Sequence, residues 1–364
     1  MRKKFQNKTV IVTGHTGFKG SWLVAWLKML GANVIGVALD PYTEPSNFSA
    51  SAIGINITDY RQDICNGKEL STIIEQAEPD FLFHLAAQAL VRKSYDNPTE
   101  TWQTNVIGTL NVLEGLRKLK KPCTAVIITS DKCYDNVEWV WGYRENDALG
   151  GPDPYSASKG AAELVVKSYV KSYFPKGSLV RIGSARAGNV IGGGDWSIDR
   201  IVPDCIKAWS ENQVVPLRNP HATRPWQHVL EPLSGYLCLA SELTEREELH
   251  GEAFNFGPQA QQNKSVLELV IAMQKNWEQV KFEDVSGIIK GPYESGLLKL
   301  NCDKALHLLS WHAVMDFDQT VAFTTEWYKN YYGDPSSMAT FTLRQIEEYR
   351  QIASSKGMLW LQNF

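Results

Sequence analysis

A short apolar segment followed by regularly spaced glycines constrains the fold of this chain most strongly. Residues 9–12 predict a buried parallel strand, and residues 21–30 predict a helix. Between them lie three glycines at every third position: Gly14, Gly17 and Gly20. A Cβ at these positions would block a tight turn and keep the backbone away from a pyrophosphate, which the free amides of a helix N-terminus attract. The order strand, glycine turn and helix therefore predicts a dinucleotide-binding unit.

The second predicted strand, residues 33–39, indicates which dinucleotide is bound. It ends at Asp40, 20 residues beyond Gly20, where an acidic side chain hydrogen-bonds the adenosine ribose of NAD. A carboxylate there repels the 2′-phosphate of NADP, and no arginine follows immediately. NAD is therefore predicted rather than NADP. Ala86 and Ala87, at the end of a later strand, are small enough for the cofactor to lie against the backbone.

Strands alternate with helices from residue 9 to residue 174, which predicts a Rossmann-type doubly wound parallel sheet of the α/β class. From Arg181 onward the alternation stops, and shorter strands and helices follow. We therefore expect two domains. Residues 1–185 would form the NAD-binding domain with the catalytic residues. Residues 186–364 would form a smaller mixed α/β lobe that binds the substrate, with possible crossovers of the chain back to the first domain.

The composition is that of a globular protein with no bias toward nucleic acid, membranes or metals. Hydrophobic residues make up 43% and charged residues 21% of the 364 residues, so a large core is possible. The net charge of -3 offers no general attraction to nucleic acid or anionic membranes. No apolar run approaches the roughly 18 residues of a membrane-spanning helix. The six cysteines are scattered without zinc-type spacing, which favours free thiols in a reducing, cytoplasmic compartment and no bound metal.

A hydroxyl at a strand end and a Tyr-x-x-x-Lys pair indicate the chemistry. Tyr155 and Lys159 would lie one helical turn apart on the same helix face. Ser130 follows an apolar strand some 25 residues earlier. In this order, after the glycine turn, these residues resemble the extended short-chain dehydrogenase/reductase family. The resemblance implies that Tyr155 removes a hydroxyl proton and that Ser130 orients the substrate oxygen. Lys159 and the positive nicotinamide would lower the pKa of Tyr155, and Lys159 would also hold the nicotinamide ribose.

The same resemblance implies a set of cofactor contacts. In this family, an Asp-Ile pair after the third strand reaches the adenine ring. The predicted cofactor-binding residues are Gly14, His15, Thr16, Gly17, Phe18, Lys19, Gly20, Asp40, Asp63, Ile64, Ala86, Ala87, Gln88, Asn105, Tyr155 and Lys159. His84, inside the fourth predicted strand, is interpreted instead as a packed core histidine.

Asp131 and Lys132, directly after Ser130, indicate a more specific reaction. Sugar-nucleotide 4,6-dehydratases carry a hydroxyl, an Asp and usually a Glu at this strand end. Their reaction, as the resemblance implies it, oxidises C4 of the hexose, which makes the C5 proton acidic. That proton is then removed while the 6-hydroxyl leaves as water, and the hydride returns to C6.

The surrounding segments are similar to those of CDP-glucose 4,6-dehydratases. The matching motifs are Ser-Asp-Lys-Cys-Tyr-Asp-Asn, Ala-Gly-Asn-Val-Ile-Gly-Gly-Gly-Asp-Trp and Arg-Pro-Trp-Gln-His-Val. This similarity covers nearly the whole chain. It implies a lyase that acts on CDP-D-glucose, and a place in deoxysugar biosynthesis such as that of lipopolysaccharide O-antigens.

Lys132 stands where the wider dehydratase family usually has Glu, and two roles remain open for it. It could lose its proton in a buried, positively charged site and act as the C5 base, or it could stay charged and stabilise the C4 enolate. The predicted catalytic residues are Ser130, Asp131, Lys132, Tyr155 and Lys159. The first candidates for binding the diphosphate and the sugar are Arg224 and Asn189, followed by Arg92, Arg144, Arg200 and Trp226.

Other functions on the same fold remain open. A C4 epimerase or a single-step reductase would need no acid and base after Ser130. Another NDP-hexose 4,6-dehydratase would differ only in the nucleotide base or the sugar. A catalytically silent NAD-binding sensor would not require Ser130, Tyr155 and Lys159 together.

Two predicted helices, residues 98–119 and 155–174, bear on the oligomeric state. In the family that this chain resembles, such a pair meets the same pair of a second copy in a four-helix bundle. The apolar residues expected on the contacting faces are Trp102, Val106, Leu113, Ala162 and Val166. A homodimer or a dimer of dimers is therefore predicted.

Overall fold

The computed structural model describes residues 1–278, 280–286, 297–358 and 360. The strands in this part of the chain are β1 Thr9–Thr13, β2 Asn33–Ala38, β3 Thr58–Arg61, β4 Phe81–His84, β5 Cys123–Ile128, β6 Val180–Arg186, β7 Val190–Ile191, β8 Val215–Leu217, β9 Thr223–Pro225, β10 Gln227–His228, β11 Ala253–Asn255, β12 Asn263–Ser265 and β13 Phe282–Asp284.

In the first half of the chain, helices alternate with the strands. They are α1 Arg2–Phe5, α2 Phe18–Met29, α3 Asn47–Ala50, α4 Gly67–Ala77, α5 Val91–Asp96, α6 Pro98–Trp102, α7 Gly108–Leu116, α8 Pro154–Tyr173, α9 Ile201–Ser210, α10 Leu230–Leu243, α11 Val266–Gln274, α12 Asp303–Leu309, α13 Phe317–Gly333 and α14 Met338–Ser355. A π-helical turn, Gln103–Ile107, joins α6 to α7, and a 3₁₀ turn, Asp131–Cys133, follows β5 closely.

Among the described residues, seven strands form one parallel sheet. Its order is β11-β6-β5-β4-β1-β2-β3, and every adjacent pair is parallel. The connection from β1 leads to β2 on one side, whereas the strands that start at β4 lie on the other side of β1. The loops that follow β1 and β4 therefore diverge and open a crevice at the carboxyl ends of the strands. The predicted Rossmann-type α/β fold is confirmed.

Helices cover both faces of the sheet, so the central strands are buried on both sides. All residues of β4 and β5 are buried. On one face, the tryptophans Trp22 and Trp26 of α2 pack in a large core that also contains residues of α10, α13 and α14. On the other face, a second core joins the strands to α4, α7 and α8. His84 is packed in β4 as predicted, with its ring nitrogens 2.7 Å from Thr13 Oγ1 and 3.1 Å from Thr109 Oγ1.

The second half of the chain returns twice to the first. Strand β11 joins the main sheet beside β6, and α14 packs against α2, where Tyr349 meets Trp26 edge to face at 5.6 Å between ring centroids. These are crossovers of the kind that the sequence allowed for. The boundary after residue 185 stays a prediction.

The helices expected in a four-helix bundle are formed, but their faces differ from the prediction. Leu113, Ala162 and Val166 are buried inside the chain's own fold rather than at its surface. The period of an apolar helix does not say which of its sides meets the sheet, so this assignment was wrong. The exposed apolar residues of these helices include Trp102, at 41%, and Leu164, at 56%.

Two further observations concern composition. All six cysteines are free thiols, as predicted. In the part of the chain that the structure describes, no helix is long and apolar enough to cross a membrane.

Candidate active site

The glycine turn between β1 and α2 forms a cradle that only glycine permits. Gly14 has a φ of 76°, and a Cβ there would lie 2.6 Å from the backbone nitrogen of Ala86. A Cβ on Gly20 would lie 2.0 Å from the Gly14 carbonyl oxygen. Gly17 occupies the N-cap of α2 and has no side chain to cover the free amides. The turn therefore leaves a helix N-terminus open to an anion, which fits a dinucleotide pyrophosphate.

The residues around this turn differ in their access to a ligand. His15 is buried against Gly36, and its Nε2 lies 2.9 Å from Asp59 Oδ1. Burial lowers the pKa of His15. Thr16 donates its hydroxyl to the Leu39 carbonyl at 2.9 Å. His15 and Thr16 thus support the turn from behind.

Asp40 is open to solvent, with 88% of its side chain exposed, and it has a cationic neighbour. Arg61 Nη1 lies 3.6 Å from Asp40 Oδ1, and Arg61 Nη2 donates to Asp59 Oδ2 at 2.8 Å. No sequence motif indicates this arginine, because it belongs to β3 and only the parallel register of β2 and β3 places Arg61 beside Ala38. A charged pair thus stands where the adenosine ribose is expected.

Hydrogen bonds connect the predicted contacts at the end of β4 to α8, the helix that contains Tyr155 and Lys159. Asn105, in the π-helical turn, accepts from the Gln88 backbone amide at 2.9 Å and donates to Ser158 Oγ at 2.9 Å. It is buried, so it joins the β4 end to α8. Ile64 is also buried, under Gly108, whereas Asp63 accepts from the Cys65 amide at 2.8 Å.

Tyr155 and Lys159 lie on one face of the first turns of α8. Pro154 at the first position and an Asp153 cap on the Ser156 amide start this helix. Burial raises the pKa of Tyr155 to about 12; a hydrogen bond with Ser130 acts in the opposite direction, while the charge of Asp131 adds to the increase. Burial also lowers the pKa of Lys159 to about 8. Burial thus dominates the pKa of Tyr155 among the protein's own groups, and the lowering expected from Lys159 together with a bound nicotinamide stays a prediction.

Ser130 and Asp131 are held together in the short turn after β5. Ser130 Oγ donates to Asp131 Oδ1 at 3.0 Å, and Asn189 Nδ2 donates to Asp131 Oδ2 at 3.2 Å. Asn189 adopts a φ of 53°, and the preceding Gly188 has no room for a side chain beside the same carboxylate. Lys132 is half-buried next to Asp131. An acid, a hydroxyl and a lysine thus converge beside Tyr155.

One cavity of about 970 Å³ contains these groups and most substrate-binding candidates. It is lined by Ser130, Asp131, Lys132, Tyr155, Asn189, Arg92, Arg200, Arg224 and Trp226. Arg200 Nη1 pairs with Asp195 Oδ2 at 2.8 Å, and Arg92 Nη1 pairs with Asp199 Oδ1 at 2.7 Å. A hexose at Tyr155 would therefore have arginines within the same enclosure.

Comparison with known proteins identifies the family. The family model described as GDP-mannose 4,6 dehydratase matches residues 11–324. The chain belongs to this family of sugar-nucleotide dehydratases. It is 44% identical over 352 residues to the CDP-glucose 4,6-dehydratase of Salmonella typhimurium, which covers 95% of this chain and 97% of that protein. It is 24% identical to the dTDP-glucose 4,6-dehydratase of Shigella flexneri, over 88% of this chain and 92% of that protein.

Solved structures agree on the fold. The UDP-glucose 4-epimerase of Thermotoga maritima, solved with UDP-glucose, has a TM-score of 0.75 and 22% identity, and the alignment covers 88% of this chain and 99% of that one. The UDP-glucose 4-epimerase of Brucella ovis, solved in complex with NAD, has a TM-score of 0.75 and 20% identity, with 88% and 98% covered.

Two predicted residues of this dehydratase-family protein differ in their position relative to the cavity. Arg144 does not line the cavity; its guanidinium is 3.5 Å from Asp147 and its side chain is 64% exposed, so its contact with the substrate stays a prediction without support from this geometry. Lys19, predicted from the glycine motif to contact the cofactor, lines the same cavity as Ser130. Burial and the neighbouring Arg200 lower the pKa of Lys19 to about 8, while Asp131 opposes the change.

Three charged residues at another part of the cavity were not predicted. Arg218 Nη2 lies 3.6 Å from Asp199 Oδ1, so Asp199 stands between two arginines, Arg92 and Arg218. Burial and the charge of Asp199 raise the pKa of Asp204, at the start of α9, to about 6. None of the three belongs to a motif, so the sequence carried no signal for them. In the described part of the chain, no group of three or more His, Cys, Asp or Glu residues could hold a metal ion.

Proposed function

We propose that this protein is an NAD-dependent CDP-glucose 4,6-dehydratase, which converts CDP-D-glucose to the 4-keto-6-deoxy sugar nucleotide with loss of water. The observation that supports this most directly is that Asp131 and Lys132 line the same cavity as Ser130 and Tyr155. A simple reductase or C4 epimerase needs the hydroxyl and the tyrosine but has no elimination for which an extra acid and base are required. The relative from Salmonella typhimurium supports CDP-glucose as the substrate.

The cofactor assignment is supported by the glycine cradle and the open N-terminus of α2. Gly14, Gly17 and Gly20 would admit the pyrophosphate, Asp40 would bind the adenosine ribose, and the small Ala86 and Ala87 would line the way to the catalytic groups. When bound, NAD supplies a hydride acceptor for C4 and a hydride donor for C6.

For the oxidation of C4, Tyr155 would remove the hydroxyl proton while Ser130 orients the oxygen. Burial opposes the phenolate, since the pKa of Tyr155 is about 12 in the protein alone. Lys159, one turn away, would stabilise the phenolate while it carries its proton, and its pKa of about 8 leaves it mostly charged at pH 7.

For the elimination, Asp131 in its protonated form would give its proton to the departing 6-hydroxyl, which leaves as water, and Asp131 would become a carboxylate. The bonds from Ser130 and Asn189 hold its two oxygens, so its direction into the cavity is fixed. Lys132 would either take the C5 proton or remain charged and stabilise oxygen at C4. The two roles predict different behaviour of the C5 hydrogen when Lys132 is removed.

Arginines in the cavity would hold the nucleotide diphosphate. Arg224 is the first candidate among them, and Arg92, Arg200 and Trp226 line the same cavity. Asp204 and Arg218 offer a hydrogen-bond acceptor and a donor, which suits cytosine because its edge presents an amino donor beside ring acceptors. The free thiols favour a reducing compartment, so we propose a cytoplasmic enzyme that supplies deoxysugar biosynthesis.

The test is incubation of the purified protein with catalytic NAD and a panel of CDP-, UDP-, dTDP- and GDP-hexoses, followed by mass spectrometry. We expect loss of one water from CDP-glucose and no steady accumulation of NADH. A product of unchanged mass but altered C4 configuration would indicate an epimerase instead. Stoichiometric NADH would indicate a simple dehydrogenase.

We further propose a homodimer, or a dimer of dimers, formed through α6, the π-helical turn and α8. The exposed residues Trp102, Ile107 and Leu164 support this, as does a surface groove lined by Pro98, Thr99, Gln103 and Val106. Light scattering at micromolar concentration should give at least twice the chain mass. Leu164→Glu should shift it toward the monomer, whereas Leu306→Glu, also exposed but on α12, should not. A monomeric wild-type protein contradicts the proposal.

A further inference from the structure

A buried ion pair lies beneath the catalytic groups and has no part in the chemistry described above. Glu163 of α8 and Arg186 of β6 have side chains only 4% and 3% exposed. Arg186 donates from Nε to Glu163 Oε1 at 2.9 Å and from Nη2 to Oε2 at 2.8 Å. The pair is therefore bidentate, a geometry that fixes both side chains in direction as well as distance.

Two hydroxyl groups complete the hydrogen bonding of the Glu163 carboxylate. Thr129 Oγ1 donates to Oε1, and Ser184 Oγ donates to Oε2 at 2.9 Å. These donors and the Arg186 charge keep the pKa of Glu163 below its usual value despite burial, so the group is a carboxylate. We call Glu163, Arg186, Thr129 and Ser184 the clamp.

The clamp holds every segment that carries a catalytic candidate, and none of the hydrogen bonds within it goes to the side chain of a candidate. Glu163 follows Lys159 by one turn of α8 and Tyr155 by two. Thr129 directly precedes Ser130 and Asp131. Arg186 ends β6, three residues before Asn189, which holds Asp131.

The remaining guanidinium nitrogen of Arg186, Nη1, connects the clamp to the residues that follow Lys132. It donates to the Tyr134 hydroxyl at 2.7 Å and to the Glu145 carbonyl at 3.0 Å. Tyr134 in turn donates to Asn255 Oδ1 of β11 at 2.8 Å. The turn that carries Asp131 and Lys132 is thus anchored at both of its ends, by Thr129 and by Tyr134.

Stability alone explains this arrangement poorly. A buried ion pair repays its desolvation only with excellent geometry, and well-packed apolar residues of similar volume often serve stability equally well. A bidentate pair with further directional bonds does what apolar packing cannot, since it fixes the relative positions of three chain segments. Catalytic groups need such support because small displacements cost much of the rate.

We infer that Glu163 and Arg186, through Thr129, are positioning residues that set Ser130 and Asp131 against Tyr155 and Lys159. This inference rests on the proposed dehydratase function. It assigns no contact with the substrate or the cofactor to any member of the clamp.

The clamp offers a matched pair of variants. Thr129→Val and Ser184→Ala each remove one hydroxyl donor from the same buried carboxylate, but only Thr129 is adjacent to a catalytic candidate. We expect similar losses of Tm. Because a shift of about 1 Å can cost about 10²-fold in rate, we expect Thr129→Val to lower kcat by ten- to a hundredfold at unchanged KM, and Ser184→Ala to stay within about twofold. Glu163→Gln is a poorer probe, because it leaves the Arg186 charge buried without its partner.

The readouts are kcat, KM and the single-turnover rate of C4 oxidation, followed by NADH absorbance. Thr129→Ser restores the hydroxyl and should recover most of the rate, which a purely apolar packing role would not produce. If the wild-type protein is active, equal kcat values for Thr129→Val and Ser184→Ala would overturn this inference but not the proposed function. A wild-type protein that removes water from no nucleotide-hexose would overturn the proposed function, and this inference with it.

Discussion

Gly188→Ala tests the position of Asp131 without touching the chemistry of any side chain. The added Cβ would lie 1.9 Å from Asp131 Oδ2 and 2.0 Å from its Cγ. The carboxylate would have to retreat by about 1.5 Å to reach an ordinary van der Waals separation. Since a misplacement of about 1 Å can cost about 10²-fold in rate, we expect elimination to slow by at least that factor, or about 2.7 kcal/mol of activation free energy.

The expected effect is confined to one step. In the proposed mechanism, oxidation of C4 depends on Tyr155 and Ser130, whereas the three atoms nearest the added Cβ all belong to Asp131. Bound NADH should therefore form at a rate within about threefold of wild type and then persist. Stopped-flow absorbance with CDP-glucose, followed by mass spectrometry of the quenched product, separates the two steps. Gly333→Ala is the control, because nothing lies within 4 Å of its added Cβ. Wild-type loss of water in Gly188→Ala would refute the placement of Asp131 at the 6-hydroxyl.

Three further predictions concern single side chains. Tyr155→Phe should lower C4 oxidation by about 10²–10⁴-fold while NAD binding, measured by calorimetry, persists; a rate above roughly a third of wild type contradicts its role as base. Lys132→Ala should still form bound NADH but stall before water is lost, and exchange of the C5 hydrogen with deuterium at the wild-type rate would show that Lys132 is not the base. Burial lowers the pKa of His84 to about 3, so its neutral form stabilises the fold fully above about pH 6.5 and progressively less as the pH falls. Wild type should therefore lose about 2 kcal/mol relative to His84→Gln between pH 7 and pH 5 in denaturant melts, and a constant difference contradicts this.

The sequence predicted the fold because its signals are local. The strand, glycine turn and helix around Gly14 are adjacent in the chain, and the tight approach of Gly14 to Ala86 is what the glycine spacing indicates. A single helix is enough to bring Tyr155 and Lys159 together, and a neighbouring strand that ends beside this helix is enough to place Ser130 near them. Such features depend on neighbouring residues and on the parallel order of the strands.

The features that the sequence did not indicate are those that depend on tertiary contacts. Arg61 meets Asp40 because β2 and β3 pair in a particular register, which no pattern in either strand specifies. Arg144 and Arg218 lie on irregular segments, and only the path of the chain decides which of them faces the cavity. Leu113 illustrates a related limit, since an apolar helix position can face the sheet or a partner equally well.

The most direct test of the proposed mechanism follows the hydrogen on C4. CDP-glucose carrying deuterium at C4 is incubated with the protein and catalytic NAD, and the product is analysed by NMR and mass spectrometry. Because the hydride removed from C4 should return to C6 of the same sugar, the deuterium should be found in the methyl group of a 4-keto-6-deoxy product. Loss of the deuterium to solvent or to free reduced cofactor, or its retention at C4, would contradict the account.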